Sequence, residues 1–402
     1  MSNIRLKKIA EDLRDSDKKV QLIYAFNGTG KTRLSRVFKE LLVPKDDGQE
    51  IESERGDVQK PISRHKILYY NAFTEDLFYW DNDLGGDAEP KLKIQPNTFT
   101  DWVLRDRGQD QNIIANFQRY TDDKLTPSFI QETKQVTQAG RRVNISTFPE
   151  VTFSYDRGTE RTGSIKISKG EESNFVWSVF FTLLEEIVGI LKEKEPDKRD
   201  DDYFNQLEYV YIDDPVSSLD ENHLIEVAID LVKLIKSSDS NLKFIVSTHN
   251  PLFYNVFNNT FKRYEQDGKR SILKKYILKR NEGELIAIKE DTTSQFSYHI
   301  HLKEEIESAI ANHSLKKYHF NFLRNILEKT AIFLGHTRWQ DILPDKYKDE
   351  IASYEERMIN ISSHSDYAGE ETIDLNEKAA KELSEIIQAI NLTYNFKKQV
   401  LE

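Results

Sequence analysis

The sequence predicts an α/β head with a parallel sheet, followed by a mainly α-helical C-terminal domain. Three observations carry this. A Gly-rich turn (residues 25–32, AFNGTGKT) lies between an apolar run and an amphipathic helix. Two further short runs, 209–212 (YVYI) and 244–247 (FIVS), are uniformly apolar and flank a helical segment, as expected of parallel strands covered on both faces. After residue 288 the period changes to that of helices, with no further strand pattern.

The elements follow in order. An amphipathic helix runs from the N-terminus to about Leu13. Residues 20–24 (VQLIY) read as a buried strand, and Leu34, Val37, Phe38, Leu41 and Leu42 form one face of the next helix. Residues 45–60 are acidic and poor in apolar residues, which predicts a surface loop. Residues 67–70 read as a strand, and 131–142 as a polar loop. Residues 151–155 and 164–167 alternate like strands around a turn at Gly158. A long helix is expected from about Glu171, then a charged linker over 192–202 containing Pro196, and a helix over 221–235. Helical patterns then cover 295–312, 315–335, 346–363 and 376–400, punctuated by Gly335 and Pro344. These patterns predict domains at 1–290 and 291–402.

The chain has 402 residues, enough for two or three domains. Its formal net charge of −11 excludes a uniformly basic nucleic-acid coat, so any such site must be a local patch. It has no cysteine, which removes disulfides, thiolate metal sites and cysteine nucleophiles. No uninterrupted apolar run reaches ~18 residues, and no secretory signal is read, so a cytoplasmic location away from membranes is expected.

The Gly-rich turn is a P-loop with Ala25 in the place of the first glycine. Gly28 and Gly30 let successive backbone N–H groups curl around phosphate oxygens, with Asn27, Thr29 and Arg33 completing the loop and helix start. Lys31 is expected to reach the β/γ-phosphates and Thr32 to ligate Mg²⁺. The strand at 209–212 ends in Asp213 and Asp214. Asp213 is expected to hold the metal beside Thr32, and Asp214 to orient the attacking water. His249 follows the strand at 244–247, at the strand end where α/β sheets bind ligands, and reads as a γ-phosphate sensor.

This combination resembles the ABC-type ATPases, in the branch of the SMC proteins, over residues 20–260. The resemblance implies that residues 217–220 are a D-loop and His249 a switch histidine. It also implies that Ser168, Lys169, Gly170 and Glu171 are a divergent signature at a helix start, with Lys169 and Glu171 replacing Gly and Gln. Asp214 stands where the family has a catalytic Glu, one methylene shorter, which predicts slow hydrolysis and a switch role. Asn71 is the candidate Q-loop residue. The resemblance further implies a head-to-tail homodimer, or a higher oligomer, through the heads with shared nucleotides.

In the tail, Arg324 and Glu328 are spaced i, i+4 at the edge of the apolar stripe Leu323, Ile326, Leu327, Thr330 and Leu334. Taken alone they read as a surface ion pair, and His364 as a polar surface residue. Together they offer what metal-free RNA cleavage needs: a base for the 2′-OH, an acid for the leaving 5′-oxygen and a cation for the phosphorane. Glu328, His364 and Arg324 fill those roles in that order, or with base and acid exchanged.

The strings YAFNGTGKTRLSR, ILYYNAFTEDLFYWDNDL, ISKGEESNFVWSVF, IDDPVSSLD and HFNFLRNILEKT resemble the PrrC-type bacterial anticodon nucleases across nearly the whole chain. The resemblance implies an ABC-ATPase-like P-loop head controlling a helical nuclease domain whose catalytic residues match Arg324, Glu328 and His364. It implies cleavage of tRNA, typically tRNA-Lys, 5′ of the wobble nucleotide, leaving 2′,3′-cyclic phosphate and 5′-OH ends. It implies ATP or GTP with Mg²⁺ at the head, dTTP as a regulator, no metal at the nuclease site, and silencing by a type I restriction–modification complex. Arg357 and His364 also resemble the Arg-x(4–6)-His motif of HEPN ribonucleases, which leaves open whether Arg324 or Arg357 is the main phosphate ligand.

Residues 262–280 carry eight basic and two acidic side chains interleaved with Tyr264 and Tyr276, a candidate track for a phosphate backbone. Lys316, Lys317, Tyr318 and His319 are a second candidate RNA contact. The alternatives are an ATPase clamp of the SMC kind, disfavoured by the lack of heptads between Thr32 and Ser168, and a toxin-like ATPase with a non-nucleolytic tail.

Overall fold

The computed structural model describes residues 2–42, 66–71, 77–81, 90–138, 141–157, 160–161, 163–215, 221–264, 271–281, 284–290, 298–316, 318–343 and 377–396. The chain divides into two compact units, Met1–Ser294 and Gln295–Glu402.

The first unit opens with α1 (Ser2–Asp15), β1 (Val20–Ala25), α2 (Lys31–Leu42) and β2 (Ile67–Tyr70). There follow β3 (Phe78–Trp80), β4 (Leu92–Ile94), α3 (Thr98–Asp101) running into a π-helical turn (Trp102–Asp106), and α4 (Asp110–Arg119). Next come β5 (Leu125–Gln138), β6 (Arg141–Arg157), β7 (Glu160–Arg161) and α5 (Lys169–Ile190). The unit closes with β8 (Tyr209–Asp213), α6 (Glu221–Ser237), β9 (Lys243–Thr248), α7 (Pro251–Tyr264), β10 (Leu273–Asn281) and β11 (Glu284–Glu290).

Six strands form one sheet in the order β11-β10-β1-β9-β8-β2. All neighbours are parallel except the β10–β11 pair at one edge. On one face, Ile23 and Ala25 of β1, Tyr209 and Tyr211 of β8, and Ile245 of β9 pack on Leu6, Ile9 and Leu13 of α1 and Leu34 and Phe38 of α2. The alternate residues serve the other face, where Tyr24 meets Tyr254 of α7 edge-on and Tyr70 meets Trp177 and Phe180 of α5. Both faces of the central strands are therefore covered, and β2 and β8 read as continuous apolar runs up to Asp213, whereas β10 (LKKYILKRN) does not. The parallel register aligns the C-terminal ends of β1, β8 and β9, which sets the phosphate loop, the two aspartates and His249 together.

A second, antiparallel sheet has the order β3-β4-β6-β5, with β7 pairing β6. Helix α5 packs against both sheets. Its Phe175 touches Phe78, Phe117, Phe129 and Phe153 on the antiparallel side, while Trp177 and Phe180 meet Tyr70. A helix covered on all sides needs no polar face. Its length and apolarity match those of a membrane span, since an 18-residue window of it carries no more than two charges, but 83% of that window is buried inside the fold. The expectation that no run was long enough counted uninterrupted stretches, and a window admits the two glutamates.

The expected polar loop at 131–142 is instead a long hairpin: Glu132 pairs with Thr147, and the ladder continues to Gln138 opposite Arg141. Residues 131–135 and 142–144 are exposed, so no buried face imprinted an alternation. The segment 164–167 contributes only a bridge, Phe153 to Ile165, in place of a strand.

The second unit contains α8 (Tyr298–Ala311), α9 (Tyr318–Phe333), a 3₁₀ turn (Trp339–Ile342) and α10 (Glu377–Thr393). Its core is Leu302, Ile306, Phe320, Leu323, Ile326, Leu327, Leu383, Ile386, Ile387 and Ile390. The buried Lys303 donates to Glu307 at 2.9 Å, and Asn391 donates to the same oxygen at 2.6 Å, tying α8 to α10. The helix expected at 346–363 lies outside the described residues.

Candidate functional site

The phosphate loop leaves β1 and enters α2. Gly28 and Gly30 have φ of 78° and 104°, in the left-handed region that side chains rarely adopt. Thr29 N–H donates to the Phe26 carbonyl at 3.2 Å, and Leu34 N–H to Gly30 at 2.9 Å, starting α2 where its free N–H groups and dipole favour an anion. The Lys31 side chain is buried, and its ammonium lies 3.3 Å from Asn27 Oδ1 and 3.6 Å from Asp214 Oδ2. Arg33 is exposed on the first turn of α2.

Asp213 ends β8 with 3% of its surface exposed. Ser247 Oγ donates to its Oδ1 at 2.6 Å, and the Thr32 side chain is a further hydrogen-bond partner. Burial pushes the Asp213 carboxyl above its ordinary value, against the hydrogen bonds of Ser247 and Thr32. Asp214 turns out of the strand with φ of 59°, while its N–H still donates to Ser247 O at 2.8 Å. That turn aims its carboxylate at His249: Oδ2 pairs with His249 Nδ1, and His249 N–H is 3.4 Å from Oδ1. Burial raises Asp214, but the His249 hydrogen bond and the charges of His249 and Lys31 outweigh it and hold the carboxyl below its ordinary value. Neighbouring carboxylates are thus pushed in opposite directions. The Thr32 hydroxyl and the Asp213 carboxylate are hard oxygen donors in hydrogen-bond contact, a donor set that suits Mg²⁺.

Ser168 caps α5. Its Oγ accepts from Glu171 N–H at 3.3 Å, and Glu171 returns a bond to Ser168 N–H at 2.7 Å, a complete capping box. Lys169 pairs with Glu172, which also accepts from Trp80 Nε1. The hydrogen bonds of Ser168, Lys169 and Glu171 all stay at this helix start, and Ser168 and Lys169 face solvent with Gly170 half-buried between them and Glu171. Asn71 is buried after β2, its amide donating to the Tyr69 hydroxyl at 3.0 Å. Residues 217–220 lie outside the described residues.

In the tail, Arg324 Nε donates to Glu328 Oε1 at 2.7 Å on α9, with the two side chains 35% and 39% exposed. His364 and Arg357 lie outside the described residues. His319 does not fit the RNA contact expected of it. It is 1% exposed, and its Nδ1 accepts from Lys316 N–H at 2.8 Å. Its Nε2 is buried without a partner among the described residues. Burial pushes its imidazole down to about 4. Tyr276, expected between the basic residues of 262–280, is also buried, with Lys274 over its ring, while Lys262 and Arg263 are exposed. Sequence reasoning missed Ser35, Tyr69 and Ser247. Only Ser247 left a signal, as the hydroxyl that closes the apolar run two residues before His249.

A phosphate loop, a strand-end carboxylate pair and a strand-end histidine on one parallel sheet define a P-loop ATPase head, here followed by a helical unit. Residues 161–391 match the family model described as an AAA domain. The chain is also 54% identical over 359 residues to an anticodon nuclease of Escherichia coli, covering 88% of this chain and 83% of that one. The chain belongs to the anticodon nuclease family. Two solved structures are similar over part of the chain. One is the SMC head with an extended coiled coil bound to the C-terminal domain of ScpA from Pyrococcus furiosus: 13% identity, 50% of this chain and 38% of that one, TM-score 0.26. The other is an SMC head bound to the C-winged helix domain of ScpA: 12% identity, 69% and 90%, TM-score 0.33.

Proposed function

We propose that this chain is a nucleotide-gated endoribonuclease that cuts tRNA in the anticodon loop, with residues 1–290 as the gate and 291–402 as the nuclease. The observation that carries the reading is the Arg324–Glu328 pair, joined at 2.7 Å on a half-exposed helix face of a chain 54% identical to an anticodon nuclease. The pair supplies a cation and a carboxylate to one phosphodiester. Glu328 takes the 2′-OH proton, the 2′-oxygen attacks phosphorus, and Arg324 balances the charge that builds on the phosphoryl oxygens. The P–O5′ bond breaks and His364 protonates the leaving oxygen. The products are a 2′,3′-cyclic phosphate and a 5′-OH, no water is consumed, and the three side chains leave no role that requires a metal.

At the head, ATP or GTP would lie on Asn27, Gly28, Thr29, Gly30 and Lys31, with Thr32 and Asp213 holding Mg²⁺, which neutralises phosphate charge when bound. Lys31 and His249 both touch Asp214, so a γ-phosphate arriving at Lys31 competes with Asp214 for the same ammonium. That competition suits a switch, with Ser168, Lys169, Gly170 and Glu171 of a second copy closing the site. The preferred substrate is tRNA-Lys, cut 5′ of the wobble nucleotide. The resting inhibitor is a type I restriction–modification complex.

The test is end-mapped sequencing of tRNA from cells briefly expressing the wild-type chain or His364→Ala. A single cut beside the wobble base of tRNA-Lys, lost in the variant, is the expected result. Wild-type cutting by His364→Ala would overturn the site, and cuts elsewhere would overturn the substrate.

A further inference from the structure

The carboxylate of Asp213 is surrounded by hydroxyls that reach beyond the metal ligands. Ser247 holds Oδ1, and Ser35 Oγ lies 3.5 Å from Oδ2. Ser35 is wholly buried on α2, one turn after Lys31. Its Oγ is 2.6 Å from the Tyr69 hydroxyl, which in turn is 3.0 Å from Asn71 Nδ2. The proton count gives this chain one direction. An amide NH₂ can only donate, and a carboxylate can only accept. Asn71 therefore donates to Tyr69, Tyr69 to Ser35, and Ser35 carries the one remaining proton. Its nearer acceptor is the Thr32 carbonyl, 3.0 Å from Ser35 Oγ, and Asp213 Oδ2 is the second at 3.5 Å. Both acceptors belong to the two residues that the nucleotide-site reading assigns to the metal.

We propose that Asn71, Tyr69 and Ser35 form a positioning chain that orients the Asp213 carboxylate toward Mg²⁺, so that the residue after β2 acts on the metal site through two hydroxyls. The proposal rests on the nucleotide-site reading above. The Asn71 amide nitrogen is committed to Tyr69, which ties the end of β2 to the hydroxyl chain. That tie gives β2 a physical hold on the metal site: a shift of the strand end breaks a bond to Tyr69 before it moves any ligand. Partners of this kind typically change metal affinity about tenfold or more when removed.

Tyr69→Phe isolates the effect. The ring contact with Tyr211, at 5.9 Å between centroids, and the Lys39 ammonium over the ring at 5.6 Å depend only on the ring and survive. The measurement is the affinity of the full-chain protein for a fluorescent ATP analogue, in Mg²⁺ and in EDTA, with a Mn²⁺ electron paramagnetic resonance titration as the direct metal readout. In Tyr69→Phe and Ser35→Ala alike, the gain in affinity conferred by Mg²⁺ should fall about tenfold. The affinity in EDTA should stay at the wild-type value. The double variant should lose no more than the worse single, since both cut one chain. Wild-type Mg²⁺ dependence in Tyr69→Phe, equal losses in Mg²⁺ and EDTA, or additive losses would each overturn the positioning chain. A wild-type protein that gains nothing from Mg²⁺ would instead overturn the nucleotide-site reading on which it rests.

Discussion

The two candidate sites are built on opposite principles. In the head, Lys31, Asp213, Ser35 and Ser247 are buried, and each charged group is already tied to a partner. In the tail, Arg324 and Glu328 sit one turn apart on a single helix, bound to each other and a third or more exposed. The head's geometry belongs to the fold, since it takes three parallel strands and a helix to assemble. Among the described residues, the tail's belongs to one helix. A buried network is costly to disturb, because each orphaned polar group is stranded away from water. A surface pair can be altered with little structural consequence, so its removal reads out chemistry alone.

The largest expected effect tests that contrast directly. Glu328→Gln keeps the side-chain shape and a hydrogen bond to Arg324 but removes the base. Cleavage of tRNA by the purified, nucleotide-loaded chain should fall by roughly 10²–10⁴-fold, with the unfolding midpoint unchanged. Cleavage within about threefold of wild type would make the pair structural and erase the distinction between the sites.

Acid should separate the units next. His319 has an unfolded value of 6.5 and is held near 4 by burial. Burial and the nearby charge of Lys329 also push His299 down. Between those values the unfolded tail binds more protons than the folded tail. The stability from a neutral His319 is therefore complete above pH 6.5 and is lost as pH falls toward 4, amounting to at most ~3 kcal/mol. In the head, Asp214 is held down, so its contribution persists to below its ordinary 3.8. Hydrogen exchange at pH 5 against pH 7.5 should show faster opening in peptides from 298–343 than in β1, β8 and β9. His319→Phe should flatten the tail's response. Equal acid sensitivity in both units would break the comparison.

The same contrast explains what could be read from the sequence. Strand–loop–helix at 20–42 and the strands ending in Asp213 and before His249 were legible because burial leaves a mainly apolar run and the chemistry follows at its end. The hairpin of β5 and β6 was not, because with both faces of its outer half in water nothing selects an alternation. Strands β3 and β4, three residues each, are too short to show a period. His319 read as an RNA contact because Lys316 and Lys317 precede it in sequence, whereas the helix start turns its ring inward against Tyr318 and Phe322. The Arg324–Glu328 spacing was legible as a helix pair, while the roles expected of it rested on residue type and on resemblance and not on the spacing. The hydroxyls around Asp213 come from α2, β2 and β9, a convergence that no local pattern announces.

The smallest effect is the most diagnostic for the two building principles. Ser247→Ala removes a single 2.6 Å bond to a carboxylate that is 3% exposed. That bond opposes the burial that already pushes Asp213 upward, so its loss should cost the head about 1–3 kcal/mol. Arg324→Ala removes an ion pair of nearly equal length, 2.7 Å, whose partner is 39% exposed. Water takes over the freed carboxylate of Glu328, and the helix loses an i, i+4 contact worth about 0.3–0.5 kcal/mol. Bond length is nearly the same in the two cases, so any difference in stability measures the medium and not the contact. Urea unfolding of the two variants should therefore separate by about 1 kcal/mol or more. If Arg324→Ala destabilised as much as Ser247→Ala, the tail pair would have to carry a structural load that its exposure argues against, and loss of cleavage in Arg324 variants could no longer be attributed to the reacting phosphate.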